Sequence, residues 1–318
     1  MPRLRSLKHQ IPKIMSPKLQ TFLKRLLSTV ILIAVLAGVV LWNHPYGYAA
    51  LICVLCNLAS LEWHCMLRGT VCNRWLALVA GVAYPWLAAA ISLGIFEDSG
   101  LMDAALLMNA GSVTMVLGFA FKYLLVFALV AFIAELVRMD YRGQGAAQAL
   151  HSVGVTLLAF IFPVWLFSFA FTGLLDYPFN VYLLLWLVLV TKLSDIFAYV
   201  CGVLLGRRLI KRSFSPAVSP KKTWEGIIGS LVLTSVSGFL LLEYTVGEMD
   251  MPPIGFFIVF MPLLFILSVA GDLAGSLIKR GLGVKDSGSL LPGIGGVFDL
   301  IDSPAFTVSF FVVIFSLF

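Results

Sequence analysis

Long apolar segments recur along the whole chain and are separated by short polar or charged connections. The segments lie at about residues 27–43, 46–66, 75–95, 101–138, 152–174, 179–205, 225–246, 254–274 and 300–318. Most of them have about the 20 residues that a helix needs to cross a hydrocarbon core of about 30 Å. The pattern therefore predicts an all-α, polytopic integral membrane protein with about nine transmembrane helices.

The composition agrees with a membrane-embedded chain. Hydrophobic residues occupy 60% of the 318 positions and charged residues only 12%, whereas soluble domains have about 25% charged residues. This composition excludes a water-soluble fold. The first residues, 1–25, hold seven Lys or Arg and no acidic residue, so we predict a basic cytoplasmic tail there. N-terminal transmembrane helices follow over 26–150, and a C-terminal transmembrane region occupies 151–318.

Loop charge predicts the orientation of the helices. Cytoplasmic loops are enriched in Lys and Arg, and nine crossings place every basic connection on one side together with the N-terminus. These connections are Arg68 with Arg74, Arg138 with Arg142, 207–222 and 279–285. Orientation explains the net charge of +6 without nucleic acid. The segment 101–138 is too long for one span and contains Lys122, so we expect a re-entrant or interfacial piece followed by one crossing.

The first half of the chain offers little chemistry. His64 has Glu62 and Cys65 beside it, but neighbours one or two positions apart do not share a helix face. We therefore expect a packing or interfacial role for His64. Glu135 and Arg138 are three residues apart and can form an ion pair on one helix face, which favours a structural role for both.

Three groups of ionisable residues distinguish the second half. The first lies in the segment 179–205, where Lys192 and Asp195 are three residues apart. Charges at membrane depth are costly and usually face a polar cavity, so we expect a functional role for this pair. Gly202 and Gly206 have the four-residue spacing that is typical of close helix packing.

The second group joins two lysines to the predicted start of a helix. Its sequence is Ser219-Pro220-Lys221-Lys222-Thr223-Trp224-Glu225-Gly226. The Pro, Thr and Glu residues suit a loop that enters a helix, where free backbone N–H groups and the helix dipole favour an anion. The group thus predicts an anion site. The alternative is a basic membrane anchor with an interfacial Trp.

The third group is the densest and lies between two apolar segments. It contains Gly271, Asp272, Ser276, Lys279, Arg280, Lys285, Asp286, Gly288, Pro292, Gly293, Ile294, Gly295, Gly296, Asp299 and Asp302. Carboxylate oxygens suit Mg²⁺, basic side chains bind phosphate, and glycine lets the backbone approach a ligand. The combination predicts metal-assisted phosphoryl or nucleotidyl transfer at a cytoplasm-facing catalytic site. The alternative is a solvated loop of mixed charge.

Together the three groups resemble the motifs of the phosphatidate cytidylyltransferases, also called CDP-diacylglycerol synthases. The third group is similar to the long signature of that family over 276–302, and the second group to another of its motifs. A third similarity runs from Ser194-Asp195 to Gly206-Arg207, so that the resemblance covers about 150–318. It implies a reaction in which a phosphate oxygen of phosphatidic acid attacks the α-phosphorus of CTP. The products are CDP-diacylglycerol and pyrophosphate.

The resemblance also implies roles for individual residues. Asp272 and Asp299 belong to a Mg²⁺ site, with a second cation left open, and Asp286 and Asp302 lie nearby as further ligands. The catalytic residues are Asp272, Asp299, Lys279 and Asp286. The substrate-binding residues are Lys221, Lys222, Ser276, Arg280, Lys285, Asp195, Gly295 and Gly296. The implied partners are CTP, phosphatidic acid and the bilayer of a cell inner membrane, with a homodimer as the assembly and no nucleic acid.

Two positions depart from the family pattern. Ile294 stands where the signature has His, and Leu300 stands where it has Arg. Each change removes a hydrogen-bond donor, and Leu300 also removes a positive charge beside Asp299. An inactive relative that binds nucleotide or lipid therefore stays open. A CTP-dependent kinase of a lipid alcohol such as a polyprenol also stays open. A transporter is a further alternative, although the sequence lacks the paired broken helices typical of that class.

Overall fold

Helices account for most of the described chain. The computed structural model describes residues 17–95, 113–143, 145–174, 181–208, 210–246, 254–293 and 295–316. Within these ranges there are nine long helices and one β-hairpin. The helices are α1 (Pro17–Trp42), α2 (Pro45–Met66), α3 (Arg74–Ser92), α4 (Val113–Arg142), α5 (Ala146–Phe160), α6 (Val181–Leu204), α7 (Trp224–Val246), α8 (Ile254–Gly281) and α9 (Phe298–Phe315). The hairpin is β1 (Ser213–Ser215) with β2 (Ser219–Thr223).

The membrane character of the fold is confirmed by the length and composition of the helices. Among the described residues, seven helices are long and apolar enough to cross a membrane. They are α2 to α8, with α5 counted through to Leu174, while α1 contributes a shorter apolar stretch over Leu26–Trp42. Many large apolar side chains on these helices are exposed, for example Leu125 and Ile133 on α4, as lipid-facing positions are. The chain is thus a multi-pass membrane protein, and the count of nine crossings stays a prediction.

The predicted segments 152–174 and 101–138 do not correspond to single regular helices with the predicted bounds. α5 continues beyond Phe160 through a π-helical turn (Ile161–Trp165), a short α-helical stretch (Leu166–Ser168) and a 3-10 helix (Phe169–Leu174). Pro163 lies in the π-helical turn and cannot donate the backbone hydrogen bond of a regular helix. Of the segment 101–138, residues 101–112 lie outside the described residues, and the rest belongs to the continuous α4.

α8 extends seven residues beyond the predicted segment 254–274, because polar residues continue the same helix. Lys279 and Arg280 therefore lie in its last helical turn and not in a loop. The helix ends where Gly283 adopts a φ of +73°. Val284 N–H then donates to Lys279 C=O at 2.9 Å, and Gly283 N–H donates to Arg280 C=O at 3.0 Å. This is a Schellman ending, and it directs the chain back toward the start of α9.

Close packing of α6 and α7 confirms the interpretation of Gly202, on α6, and of Gly206, two residues beyond its end. A Cβ atom on Gly226 would lie 2.8 Å from the Ala198 carbonyl oxygen and 3.1 Å from Gly202 Cα. A Cβ atom on Gly206 would lie 3.0 Å from the side chain of Thr223. Only small residues permit such an approach of two backbones. α7 and the end of the hairpin are thereby held against α6.

The β-hairpin was missed by the all-α prediction. Its strands are short, and β2 contains Pro and two Lys, which have low strand propensity. Ser213 pairs with Thr223 in the ladder, and the Ser213 hydroxyl donates to Lys222 C=O at 2.8 Å. The predicted helix start just after this segment is confirmed: α7 begins at Trp224, and Thr223 Oγ1 accepts from Gly226 N–H at 3.1 Å as its N-cap.

The core joins the two halves of the chain through aromatic side chains. The Trp63 ring on α2 meets the Phe298 ring on α9 edge-on, with centroids 5.2 Å apart. Phe162, in the π-helical turn, lies 5.3 Å from Phe298. Glu135, buried on α4, forms its predicted ion pair with Arg138. The first half thus packs directly against the helix that begins with the signature aspartates.

Candidate active site

The Asp299 carboxylate lies in the first turn of α9 and is held from several sides. Its Oδ1 forms an ion pair with Lys279 Nζ at the end of α8. Its Oδ2 accepts from Gly296 N–H at 2.9 Å, and from the backbone N–H and the hydroxyl of Ser287 at 3.0 Å each. Gly295 has a φ of +129°, and a Cβ atom there would lie 2.6 Å from Asp299 Oδ2. The loop therefore needs glycine at this position to reach the carboxylate.

The loop between α8 and α9 closes on itself before it reaches α9. Leu291 and Gly295 exchange two backbone hydrogen bonds of 3.0 Å each. The Ser28 hydroxyl on α1 donates to the Pro292 carbonyl oxygen at 2.9 Å. Ile294, which replaces the family His, lies outside the described residues. The loop is thus fastened at both its base and its tip.

Lys279 stands between two carboxylates of α9. Its side chain is 8% exposed, and Nζ lies 3.5 Å from Asp302 Oδ2 in addition to its contact with Asp299. The Asp302 side chain is almost fully buried. α8 approaches closely here, because a Cβ atom on Gly275 would lie 2.9 Å from Asp302 Oδ2. Burying a lysine between two carboxylates concentrates charge where α8 meets α9.

The first and second groups of ionisable residues lie beside the third group in the structure. Lys222 Nζ, at the end of the hairpin, lies 2.5 Å from Asp272 Oδ2 on α8. On α6, Lys192 Nζ lies 3.6 Å from Asp195 Oδ2. Asp195, Asp272 and Asp302 are all within electrostatic reach of one another. α6, the hairpin, α8 and α9 therefore bring acids and lysines from three distant parts of the sequence into one charged cluster.

The remaining predicted residues surround this cluster or lie at the surface. The side chains of Lys221, Arg280, Lys285 and Asp286 are exposed, and Arg280 donates to the Val284 carbonyl oxygen at 3.3 Å. Ser276 is half-buried on α8. These side chains, together with the charged cluster, form a partly open polar face at one end of the helices.

A family model described as the cytidylyltransferase family matches residues 23–318. The chain belongs to the cytidylyltransferase family. The match includes the N-terminal half, so the family region is wider than the motif-bearing 150–318. Both halves must therefore be considered as parts of one family fold.

Several bacterial phosphatidate cytidylyltransferases are similar to this member of the cytidylyltransferase family. The protein of Haemophilus influenzae is 39% identical over 136 residues, which are 42% of this chain and 45% of the relative. The Mycobacterium bovis protein is 39% identical over 142 residues, 44% of each chain. The Helicobacter pylori protein is 39% identical over 161 residues, 50% of this chain and 55% of the relative. The aligned part of the chain spans about half the length of these curated relatives.

The predicted metal ligands do not form a ready-made cage. Among the described residues, no three His, Cys, Asp or Glu side chains converge closely enough to hold a metal ion. Asp299 and Asp302 share Lys279 instead, and Asp272 pairs with Lys222. Mg²⁺ usually takes one or two protein carboxylates and completes its shell with water and substrate phosphates. The donors therefore fit a Mg²⁺ ion that binds together with a nucleotide, and do not fit one held by the protein alone.

Leu300, which replaces the family Arg, is half-buried and packs against the apolar core. The positive charge next to Asp299 is supplied by Lys279 from α8. This arrangement gives the aspartate a cation although residue 300 has none.

Sequence reasoning missed two residues of the site. Glu62, on α2, is only 5% exposed, and its carboxylate accepts from the Ser287 hydroxyl at 2.9 Å, Val297 N–H at 2.8 Å and Phe298 N–H at 2.9 Å. Ser287 in turn binds Asp299. The sequence signal for Glu62 was an acidic residue inside an apolar segment, with no basic residue three or four positions away. His64 fits its expected packing role, since its ring lies 4.4 Å from that of Trp75.

Proposed function

We propose that this membrane protein transfers the cytidylyl group of CTP to phosphatidic acid and releases pyrophosphate. The observation that carries the proposal is the charged cluster, in which α6, the hairpin, α8 and α9 bring lysines and aspartates together. Such a mixture suits a reaction between two negatively charged phosphate compounds. The family and the names of the similar proteins support the same reaction.

In the proposed reaction, a phosphate oxygen of phosphatidic acid forms a bond with the α-phosphorus of CTP. The bond from that phosphorus to the β-phosphate oxygen breaks, and both of its electrons leave with pyrophosphate. Lys222 and Lys279 neutralise phosphate charge by exchanging their carboxylate partners for phosphate oxygens as the nucleotide enters. Lys221, Arg280 and Lys285 are exposed and attract the triphosphate from water.

Asp272 and Asp299 would hold a Mg²⁺ ion together with the phosphates, with Asp286 and Asp302 nearby. When bound, the metal neutralises charge on the reacting phosphate oxygens. Before the nucleotide arrives, Lys222 holds Asp272 in place, and Lys279 holds Asp299 and Asp302. A second cation, if the reaction uses one, would have to share the same carboxylates.

The position of the cluster at the end of the helices suits two substrates from different phases. CTP enters from the cytoplasm, and phosphatidic acid enters sideways from the inner membrane with its acyl chains in lipid. Asp195 and Ser276 line the inner side of the site, and Gly295 and Gly296 let the loop backbone approach the phosphates. A homodimer is part of the same proposal.

The experiment measures pyrophosphate and labelled CDP-lipid formed from CTP and phosphatidic acid in detergent, with and without Mg²⁺. We expect Mg²⁺-dependent product from the wild type and none from Asp299→Asn. Glu135→Gln is the matched control, because it also removes a buried carboxylate charge, on α4. Lipid phosphate and CDP, formed from a polyprenol, would overturn the proposal in favour of a kinase. Bound CTP without any product would indicate an inactive relative.

A further inference from the structure

Glu62 is a buried carboxylate of the first half, and within the described ranges its hydrogen bonds all lead to the signature loop and α9. Its three donors are the Ser287 hydroxyl and the N–H groups of Val297 and Phe298. The two N–H groups belong to the start of α9, where a helix leaves its first N–H groups without intrahelical partners. A carboxylate from α2 thus satisfies them, at the positive end of the helix dipole.

The same short stretch of backbone also holds Asp299. Asp299 Oδ2 accepts from Gly296 N–H, the residue before Val297, and from both donors of Ser287. The Ser287 hydroxyl lies 2.9 Å from Glu62 Oε2 and 3.0 Å from Asp299 Oδ2. The hydroxyl has one proton, so it stands between the two carboxylates and donates to one of them at a time. A shift of Glu62 would move donors that determine the direction of the Asp299 carboxylate.

Two signature glycines leave room for this contact. A Cβ atom on Gly288 would lie 2.7 Å from Glu62 Oε1. A Cβ atom on Gly296 would collide with both Glu62 and the Ser287 hydroxyl. The neighbouring Trp63 packs edge-on against Phe298, which fixes α2 beside α9. The glycines of the signature thus serve the contact with α2 as well as any approach to substrate.

Building on the proposed function, we infer that Glu62 is a positioning residue of the cytidylyl transfer. It holds Ser287 and the first residues of α9, and through them it aims Asp299 at the reacting phosphates. Glu62 itself touches neither substrate, because its carboxylate is buried beneath the loop. The N-terminal half of the chain therefore supplies part of the site's framework.

The test compares Glu62→Gln with the matched control Glu135→Gln. The glutamine amide has only one acceptor oxygen, so at position 62 one N–H group of α9 faces another donor. We expect faster hydrogen–deuterium exchange over 285–300 in Glu62→Gln and unchanged exchange there in Glu135→Gln. The rate of CDP-lipid formation per folded protein falls roughly 10- to 100-fold in Glu62→Gln and stays near wild type in the control.

A double variant separates positioning from general stability. If Glu62 and Ser287 act through one framework, Glu62→Gln with Ser287→Ala loses less activity than the product of the two single losses. Independent, multiplying losses, or unchanged exchange over 285–300 in Glu62→Gln, would overturn the inference. A wild type that makes no CDP-lipid would contradict the proposed function instead, and the exchange comparison would still decide whether Glu62 holds the start of α9.

Discussion

Glu135 in the first half and the carboxylates of α9 in the second half have their basic partners in different places. In the first half, Glu135 pairs with Arg138, three residues further along the same helix. In the second half, Lys279 of α8 pairs with Asp299 and Asp302 of α9. A local pair needs only its own helix, whereas a pair across helices forms only when both helices are in place. Burying charges in this way adds little or no net stability, so the cluster is better explained by chemistry than by folding.

Glu62 connects the two halves of the molecule. It belongs to the first half, yet its hydrogen-bond donors are more than 220 positions away in the sequence. The family match over 23–318 covers both sides of that contact. The first half is therefore more than a membrane anchor for the second, since its Glu62 accepts hydrogen bonds from the first N–H groups of α9.

The largest expected effect comes from Lys279→Met. Without the ammonium group, Asp299 and Asp302 are left as two neighbouring buried carboxylates, and the phosphates lose a counter-charge. We expect CDP-lipid formation to fall about 100-fold or more and the unfolding free energy to fall by about 3–5 kcal/mol. Activity per folded protein and thermal unfolding in the same detergent measure the two effects separately.

Arg138→Met is the control for Lys279→Met, because it also leaves a buried carboxylate, Glu135, without its basic partner. Its unfolding temperature is expected to fall, while activity per folded protein stays near that of the wild type. An equal loss of specific activity in both variants would contradict the distinction between local and non-local pairs.

Gly296→Ala has the next largest expected effect. The new methyl group meets both Glu62 and the Ser287 hydroxyl, so α2 and the loop must separate. Overpacking of this kind costs about 1–3 kcal/mol, and we expect a matching loss of stability together with reduced activity. Gly154→Ala on α5 is the control, since a Cβ atom there meets nothing within 4 Å. A harmless Gly296→Ala would mean that the loop can move away from Glu62 without consequence.

The helices could be predicted from sequence because the bilayer imposes a length on every apolar segment. The end of α8 could not, because Lys279 and Arg280 are polar and yet continue the helix. The hairpin was missed because Pro and two Lys residues make β2 a poor strand by composition. Local composition therefore predicts which segments are helical better than it predicts where polar helix ends lie.

The predicted site residues came from three groups of ionisable residues in the second half and from the resemblance of those groups to family motifs. Several of them lie together in the charged cluster. The basic partners of Asp272, Asp299 and Asp302 could not be predicted, because Lys222 and Lys279 could equally have faced solvent. The role of Glu62 could not be predicted from residue spacing, because its hydrogen-bond donors are distant in sequence. Two of these donors are backbone N–H groups, which carry no residue-specific signal. Contacts of this kind appear only when the fold is known.

The smallest expected effect tests how far the framework extends into the first half. Ser28→Ala removes the hydroxyl that binds the Pro292 carbonyl oxygen, a single neutral hydrogen bond of about 1 kcal/mol. We expect faster hydrogen–deuterium exchange at 291–295 and a loss of activity of at most about fivefold, which is that energy expressed as a rate. Ser237→Ala is the control, because its hydroxyl binds carbonyl groups of its own helix, α7. A loss as large as that of Glu62→Gln would extend the site's framework from α2 to α1, because the tip of the loop would then matter as much as the start of α9.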